Sequence, residues 1–573
     1  MIFPGSPTGD ARPGLGAGFR SRLIASDAAH ARAVATAATL FVATWLSRLP
    51  FAGRYLFNWD SLQFALGAER FDLAAHRPHP PGYVGYVMAG RLMQHAGLDL
   101  NTALVTLSSA SEAVTVAGVY LFVRRLHGGF AGLAAAVLLM TSPLYWLYGE
   151  TALTYAIEPG LSVLGFGLVL SAVRRRGSLA LPALVIGLSG AIRPSSEFFM
   201  VGLLAAGGWL LVRDLDARAA LRALLPVATA LVVGTLVWAL PLLVMSGGIL
   251  PYLAASSALA ARVSSGSAVW RAGLAGLSLN LGAVLLGAAL SLGLALPLLA
   301  GGLLASQASR RWFGIRTGEP LLDARGSGLL VAAWAAPALL TYGLAHIGQL
   351  AYVLFLLPIA VVFSGPLLTR LGALTSPSTG FSPGVTRGAA LVLCAATNIL
   401  FFALPSHGLG TLPRERDAHV SRVLATVQRY PAGTLVITDP EAPSSYRTAM
   451  YYLRAYDVVA VGRDRHGRAG EMFSNDGGAP EYDLARFDRT GPLRLRPRPM
   501  ALILDSQVLK SIGDPDLVDS VSVDASGERF FIARLDPADP PVASAEWLYL
   551  RGSDCPCRGG GSAPRLARPN QPL

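Results

Sequence analysis

The stretch Asn58-Trp59-Asp60-Ser61, followed by His76-Arg77-Pro78-His79-Pro80-Pro81-Gly82-Tyr83, stands immediately after the first segment long enough to cross a bilayer. It gathers a carboxylate, two histidines and an arginine between two apolar segments. Charged side chains are costly in hydrocarbon, so a chain that collects them at one membrane mouth points to chemistry there.

Composition sets the frame for that stretch. The 573 residues are 53% hydrophobic and only 14% charged, with a mean hydropathy of +0.48. So apolar a chain reads as a polytopic α-helical membrane protein. Apolar segments that span, or nearly span, about 30 Å of hydrocarbon occur near 31–49, 101–123, 129–147, 152–173, 178–192, 195–212, 222–245, 276–304, 327–344, 350–369 and 387–404, about eleven candidate helices.

Arginine clusters orient them. Arg20 and Arg22, Arg124-Arg125, Arg174-Arg175-Arg176, Arg213 to Arg222, Arg310-Arg311 and Arg370 fall at every second boundary, which the positive-inside rule makes cytoplasmic. The N-terminus is then cytoplasmic and the first membrane helix acts as an uncleaved signal. The opposite boundaries carry Asp60 to Tyr83, Tyr148 to Glu150, Arg193 to Glu197, the loop 247–275 and His346 to Gln349, so the unusual polar residues converge on the outer face. The short segment 82–96 contains Arg91 and reads as an interfacial helix on the outer leaflet.

The net charge of +12 does not indicate nucleic acid, because the basic residues serve as topology determinants between apolar segments. Lys510 is the only lysine, an arginine bias that fits a GC-rich bacterial genome and hence a bacterial inner membrane. Cys394 lies in an apolar segment as a packing residue, and Cys555 and Cys557 lack the further ligands of a zinc site.

After about residue 405 the pattern becomes that of a soluble α/β unit. Helix-like stretches cover 417–430 and 444–455, and strand-like runs cover 433–439, 457–462, 500–505 and 529–535. The expected organisation is a cytoplasmic segment 1–30, a transmembrane domain 31–405 with a first outer loop 50–100, a small extracytoplasmic α/β domain 406–550, and a disordered Gly/Pro/Arg-rich tail 551–573.

Several residues are candidates for chemistry. Asp60 is either a cap for the helical run Ser61 to Arg70 or a general base that takes a proton from an attacking hydroxyl. His76, Arg77 and His79 lead into a proline-rich turn and a helix start at Tyr83. They form a kinked connector with solvated side chains, a metal-binding H-x-x-H pair, or an anion site in which Arg77, two imidazoles and free helix amides hold a phosphate. Glu150 and Glu158 enter an apolar helix at about 2.5–3.5 kcal/mol each on insertion scales and need a cavity or partner. Arg193 is such a partner or a second phosphate ligand, and Tyr155 and His346 stand at the same level. For Arg193 and His346, interfacial snorkelling is the plain alternative.

Taken together, Asn58-Trp59-Asp60-Ser61, the Pro80-Pro81-Gly82-Tyr83 element and the arginine-terminated apolar body resemble the GT-C fold integral-membrane glycosyltransferases. That superfamily includes protein O-mannosyltransferases and aminoarabinose lipid A transferases. His79-Pro80-Pro81-Gly82-Tyr83 is particularly similar to bacterial mannosyltransferase-like members, and the resemblance covers roughly residues 30–405.

It implies a polyprenyl-phosphate sugar as donor, an acceptor hydroxyl on the outer face, and inverting transfer with Asp60 as catalytic base. Glu150 matches the family's second acidic residue, and Arg77, His79 or Arg193 would stabilise the leaving phosphate. Asp60-Ser61 replaces the Asp-Glu pair of O-mannosyltransferases, which weakens the case for a protein acceptor and leaves glycan, lipid or protein open. A polyprenyl phosphate is already a fair leaving group, so no metal or cofactor is required. The rival readings are a polyprenyl-lipid transporter or flippase and a non-catalytic membrane scaffold. Transporters often carry charges mid-membrane in related halves, whereas here they cluster at one face.

Overall fold

A computed structural model describes residues 15–298, 324–405, 408–438, 446–463, 469–474, 501–503, 518–523 and 529–533. The segment expected over 551–573 lies outside the described residues, as do residues 1–14.

Each of the eleven apolar segments is helical over its described residues. Among the described residues, eight helices are long and apolar enough to cross a membrane: Ala28–Phe51, Leu100–His127, Thr154–Arg174, Pro194–Val212, Ala217–Met245, Val269–Leu292, Arg325–Ala345 and Pro383–Ala403. A ninth span is counted if Gly129–Met140 and Pro143–Gly149, bent by 62° at their junction, are taken as one. Pro143 causes the break, since it lacks an N–H and disfavours helical geometry in the residue before it. Ser142 then caps the second piece by accepting from the Tyr145 amide at 3.4 Å. The segment 178–192 gives the 10-residue helix Ala180–Ser189, and 350–369 gives a 3-10 stretch Leu350–Phe355 followed by the 23-residue helix Leu357–Thr379.

Two short helices follow the first span. Trp59–Glu69 carries Asp60, and Val84–His95 covers the segment expected to be interfacial. At 12 residues the second is about 18 Å long, too short to cross. It is docked by the Gly85 amide, which donates to the Ala191 carbonyl at 2.7 Å. A Cβ on Gly85 would lie 2.8 Å from that of Ala191, so only glycine admits this approach.

The spans are joined by buried polar and aromatic contacts. Trp334 stacks on Phe166 at 4.1 Å, and its indole donates to Ser162 Oγ at 2.8 Å. Ser162 in turn donates to the Phe355 carbonyl at 3.0 Å, which fixes Thr154–Arg174 against the 3-10 stretch. Arg48 Nε donates to Glu112 Oε2 at 2.8 Å with both side chains fully buried, an arrangement that satisfies two charges the bilayer would otherwise reject.

Beyond the last span, helix Leu412–Val427 leads into a six-stranded mixed sheet. Its strands are β1 (Leu435–Thr438), β2 (Asp457–Arg463), β3 (Ala469–Ser474), β4 (Ala501–Ile503), β5 (Val518–Val523) and β6 (Arg529–Ala533), in the order β3-β2-β1-β4-β6-β5. β1 runs parallel to β2 and β4, and the other pairings are antiparallel. Helix Tyr446–Tyr452 makes the β1 to β2 crossover. Its Ala449 and Met450, with Val423, Val427 and Val436, form an apolar cluster that also takes in Leu66 from the Asp60 helix.

Candidate active site

Asp60 is not the helix cap. Asn58 takes that place, its Oδ1 accepting from the Ser61 amide at 3.1 Å, and Asp60 sits in the first turn, where helix amides favour negative charge. Its carboxylate turns to three other elements. Oδ2 accepts from Gln349 Nε2 at 2.9 Å and from the Tyr155 hydroxyl at 3.4 Å, while Oδ1 lies 3.8 Å from His79 Nδ1. The last distance is an electrostatic contact, too long for a hydrogen bond. Asp60 keeps 18% of its side chain exposed, so this carboxylate is held firmly and can still be reached.

His79 and Tyr83 form one unit beside it. Their Nε2 and hydroxyl lie 3.1 Å apart, and both rings pack on Phe64. Burial pushes the His79 imidazole below its ordinary value; Asp60 opposes that shift and Arg193 adds to it. Burial pushes the Tyr83 hydroxyl well up, so it keeps its proton. With Tyr83 donating to Nε2, the ring proton rests on Nδ1 and faces Asp60.

Behind Tyr155 lies the arginine. The Arg193 guanidinium lies over the adjoining Tyr155 and Tyr352 rings, 4.5 Å from each centroid, and the residue is only 5% exposed. Nη1 donates to Glu158 Oε2 at 3.4 Å, and Ser196 Oγ donates to Oε1 of the same carboxylate at 2.9 Å. Tyr155 therefore connects the carboxylate to the cation: its hydroxyl bonds Asp60 and its face carries Arg193. Tyr148 and Tyr342 complete an aromatic wall around Tyr155 and Tyr352.

Asp60, His79, Tyr83, Tyr155 and Arg193 are thus brought together, and His346 stands at the margin. Its Nδ1 pairs with Ser267 Oγ at 2.8 Å and its ring meets Tyr352 edge to face at 6.3 Å. Three candidates lie elsewhere. His76 is 2% exposed within a tight hairpin in which Asp72 and Arg77 exchange backbone hydrogen bonds. Arg77 Nη2 reaches Met450 Sδ at 3.7 Å, toward the C-terminal unit. The buried Glu150 carboxyl faces Arg48 and Glu112, whereas the acid that meets Arg193 is Glu158. Among the described residues no group of three or more His, Cys, Asp or Glu side chains converges as a metal-binding set.

Sequence reading missed Gln349 and Tyr352 as members of the site. The signal was a lone amide after Gly348 between two apolar segments, followed by an aromatic near the start of the second.

Known proteins compare with this geometry at the level of the backbone. ArnT from Cupriavidus metallidurans bound to undecaprenyl phosphate superimposes with a TM-score of 0.55 at 14% identity, covering 87% of this chain and 97% of ArnT. The chain has the GT-C fold. ArnT in the apo state gives a TM-score of 0.49 at 14% identity over 89% of this chain and 98% of that one. An Archaeoglobus fulgidus oligosaccharyltransferase tethered to an acceptor peptide gives 0.46 at 14% identity over 88% and 74%. No protein-family model and no curated protein sequence matches the chain. Within the GT-C fold, the cluster around Asp60 combines residues from the first loop with the starts or ends of four later helical elements.

Proposed function

We propose that this chain is a membrane glycosyltransferase that moves a sugar from a polyprenyl-phosphate donor to an acceptor hydroxyl on the extracytoplasmic face of a bacterial inner membrane. The observation that carries the reading is the Asp60 carboxylate, part-exposed and fixed by Gln349 and Tyr155. The fold shared with ArnT, a protein crystallised with undecaprenyl phosphate, supports a lipid-linked donor.

In this reading Asp60 accepts the proton of the acceptor hydroxyl as that oxygen attacks the anomeric carbon. The anomeric carbon to phosphate-oxygen bond breaks on the opposite side, inverting the configuration, and the polyprenyl phosphate departs with the bonding pair. Gln349 and Tyr155 keep the carboxylate aimed before substrate arrives, so little reorganisation accompanies the reaction. Arg193, one tyrosine away, supplies positive potential for the leaving phosphate, and the neutral His79 leaves Asp60 free to act as a base. Arg77, turned toward Met450, has no part in this scheme.

The test is transfer from a panel of radiolabelled polyprenyl-phosphate sugars in membranes containing the intact chain or Asp60→Asn at matched protein level. Label reaching an acceptor only with the intact chain supports the reading. Equal transfer in both removes Asp60 from the mechanism, and no transfer from any donor favours a transporter or scaffold.

A further inference from the structure

The C-terminal unit grips the loop that delivers Asp60. Asp417, on helix Leu412–Val427, accepts from two consecutive backbone amides: Oδ2 from Arg54 at 2.7 Å and Oδ1 from Tyr55 at 3.0 Å. The next amide, Leu56, donates to the Tyr452 hydroxyl at 2.9 Å. Three successive N–H groups of a non-helical segment are thus satisfied by side chains located some 360 to 400 positions later in the chain. Arg447 adds a bond from Nη2 to the Ala75 carbonyl at 2.8 Å and lies over the Trp59 ring at 5.6 Å. Beneath, Leu66 of the Asp60 helix is buried in the apolar cluster of the C-terminal unit.

This geometry exceeds what packing alone would produce. A carboxylate spanning two adjacent amides fixes their peptide planes, because each bond is directional and charge-assisted. The third amide, held by Tyr452, removes the remaining freedom just before the Asn58 cap. The pinned Leu56 amide stands two residues before Asn58, which caps Ser61, and Asp60 follows in the first turn. On the transmembrane side, among the described residues, Gln349 and Tyr155 act on the Asp60 carboxylate itself through hydrogen bonds.

We propose that Asp417 and Tyr452 are positioning residues for Asp60, so that the C-terminal unit sets the reach of the base. The inference rests on the transferase reading given above. It predicts a loss in kcat with substrate binding retained, because misplacement of a reacting group by about 1 Å costs on the order of 100-fold in rate.

The test uses the full chain purified in detergent, with the polyprenyl-phosphate sugar that supports turnover in the panel above as substrate. Tyr452→Phe removes one hydroxyl and conserves volume; Asp417→Asn retains one acceptor of two. Amide hydrogen exchange over residues 53–61 reads the pinning without reference to activity. The expected result is faster exchange at Arg54, Tyr55 and Leu56, kcat lowered about 10- to 100-fold, KM within about threefold, and an unchanged unfolding midpoint for Tyr452→Phe. Combined with Asp60→Asn, Tyr452→Phe should lower the residual rate no further, since both act through one group.

Unchanged exchange and unchanged kcat in both variants would overturn the proposal while leaving the base role of Asp60 intact. A fully active Asp60→Asn would overturn the base role itself. A further fall in rate when Tyr452→Phe is added to an impaired Asp60→Asn would show that Tyr452 acts through something other than Asp60, and would overturn the positioning role alone.

Discussion

Gln349 and Asp60, 289 residues apart in the chain, meet in a 2.9 Å hydrogen bond from Nε2 to Oδ2. A neutral amide in this place orients the carboxylate without neutralising it, as an arginine or lysine would. A hydrogen bond to a charged group contributes about 1.5–3 kcal/mol, so Gln349→Leu is expected to lower kcat by roughly 10- to 100-fold. Steady-state transfer assays would show this, with Gln349→Asn intermediate because the shorter amide falls short of Oδ2. An unchanged kcat in Gln349→Leu removes the residue from the site.

Arg193 and Glu158 supply the second prediction, one of stability. Glu158 is fully buried and Arg193 nearly so. Removing one member of a buried pair strands the other charge, at about 3–5 kcal/mol. Glu158→Ala should therefore unfold at a markedly lower temperature in detergent, and Arg193→Met added to it should recover part of the loss. If the double variant is less stable than Glu158→Ala, the two tyrosine faces on Arg193 outweigh the ion pair.

Parts of this arrangement were legible in the sequence, for physical reasons. Asp60, His79 and Tyr83 lie within one short stretch, and arginine clusters place Tyr155, Arg193 and His346 at the same level as that stretch. What local patterning does not encode is where a side chain turns in an irregular segment. Arg77 and His79 are two residues apart, yet the hairpin closed by Asp72 and Arg77 sends one toward Met450 and the other toward Asp60. Glu150 and Glu158 look equivalent as acids near one helix start. The 3-10 turn Thr154–Ala156 between them decides which faces Arg193. Apolar length likewise hides breaks, because Pro143 bends one segment and another holds only the 10-residue helix Ala180–Ser189. The strands β3 and β5 went unread because Gly470, Glu471 and Ser474 in one and Asp519, Ser520 and Ser522 in the other interrupt the apolar run.

His79 predicts a pH dependence. Its ordinary value is 6.5 and burial lowers it in the folded protein. Between the folded value and 6.5 the unfolded state binds more protons, so this group makes stability fall as pH drops through 6.5 and leaves it level above. Protonation would also set an imidazolium against Asp60 and weaken it as a base. Transfer is therefore expected to persist below pH 6.5 before its acid limb begins, and His79→Gln should remove the His79 contribution to that limb. A pH profile of kcat/KM for both proteins checks this; identical profiles would exclude His79 as the titrating group.

The Pro80-Pro81-Gly82-Tyr83 element makes the last prediction. Gly82 has φ +115, a conformation that other residues adopt only with strain, and a Cβ there would collide with the Leu242 side chain. Gly82→Ala thus meets two separate penalties, backbone strain of about 1–3 kcal/mol and overpacking of similar size. Because Tyr83 follows directly and bonds His79, the distortion should reach the site and lower both the unfolding midpoint and kcat. Leu242→Ala added to Gly82→Ala relieves the collision and leaves the strain. The double variant should recover part, not all, of the loss caused by Gly82→Ala, after the effect of Leu242→Ala alone is subtracted. Full recovery would mean that space alone, and not the backbone conformation, demands glycine at this turn.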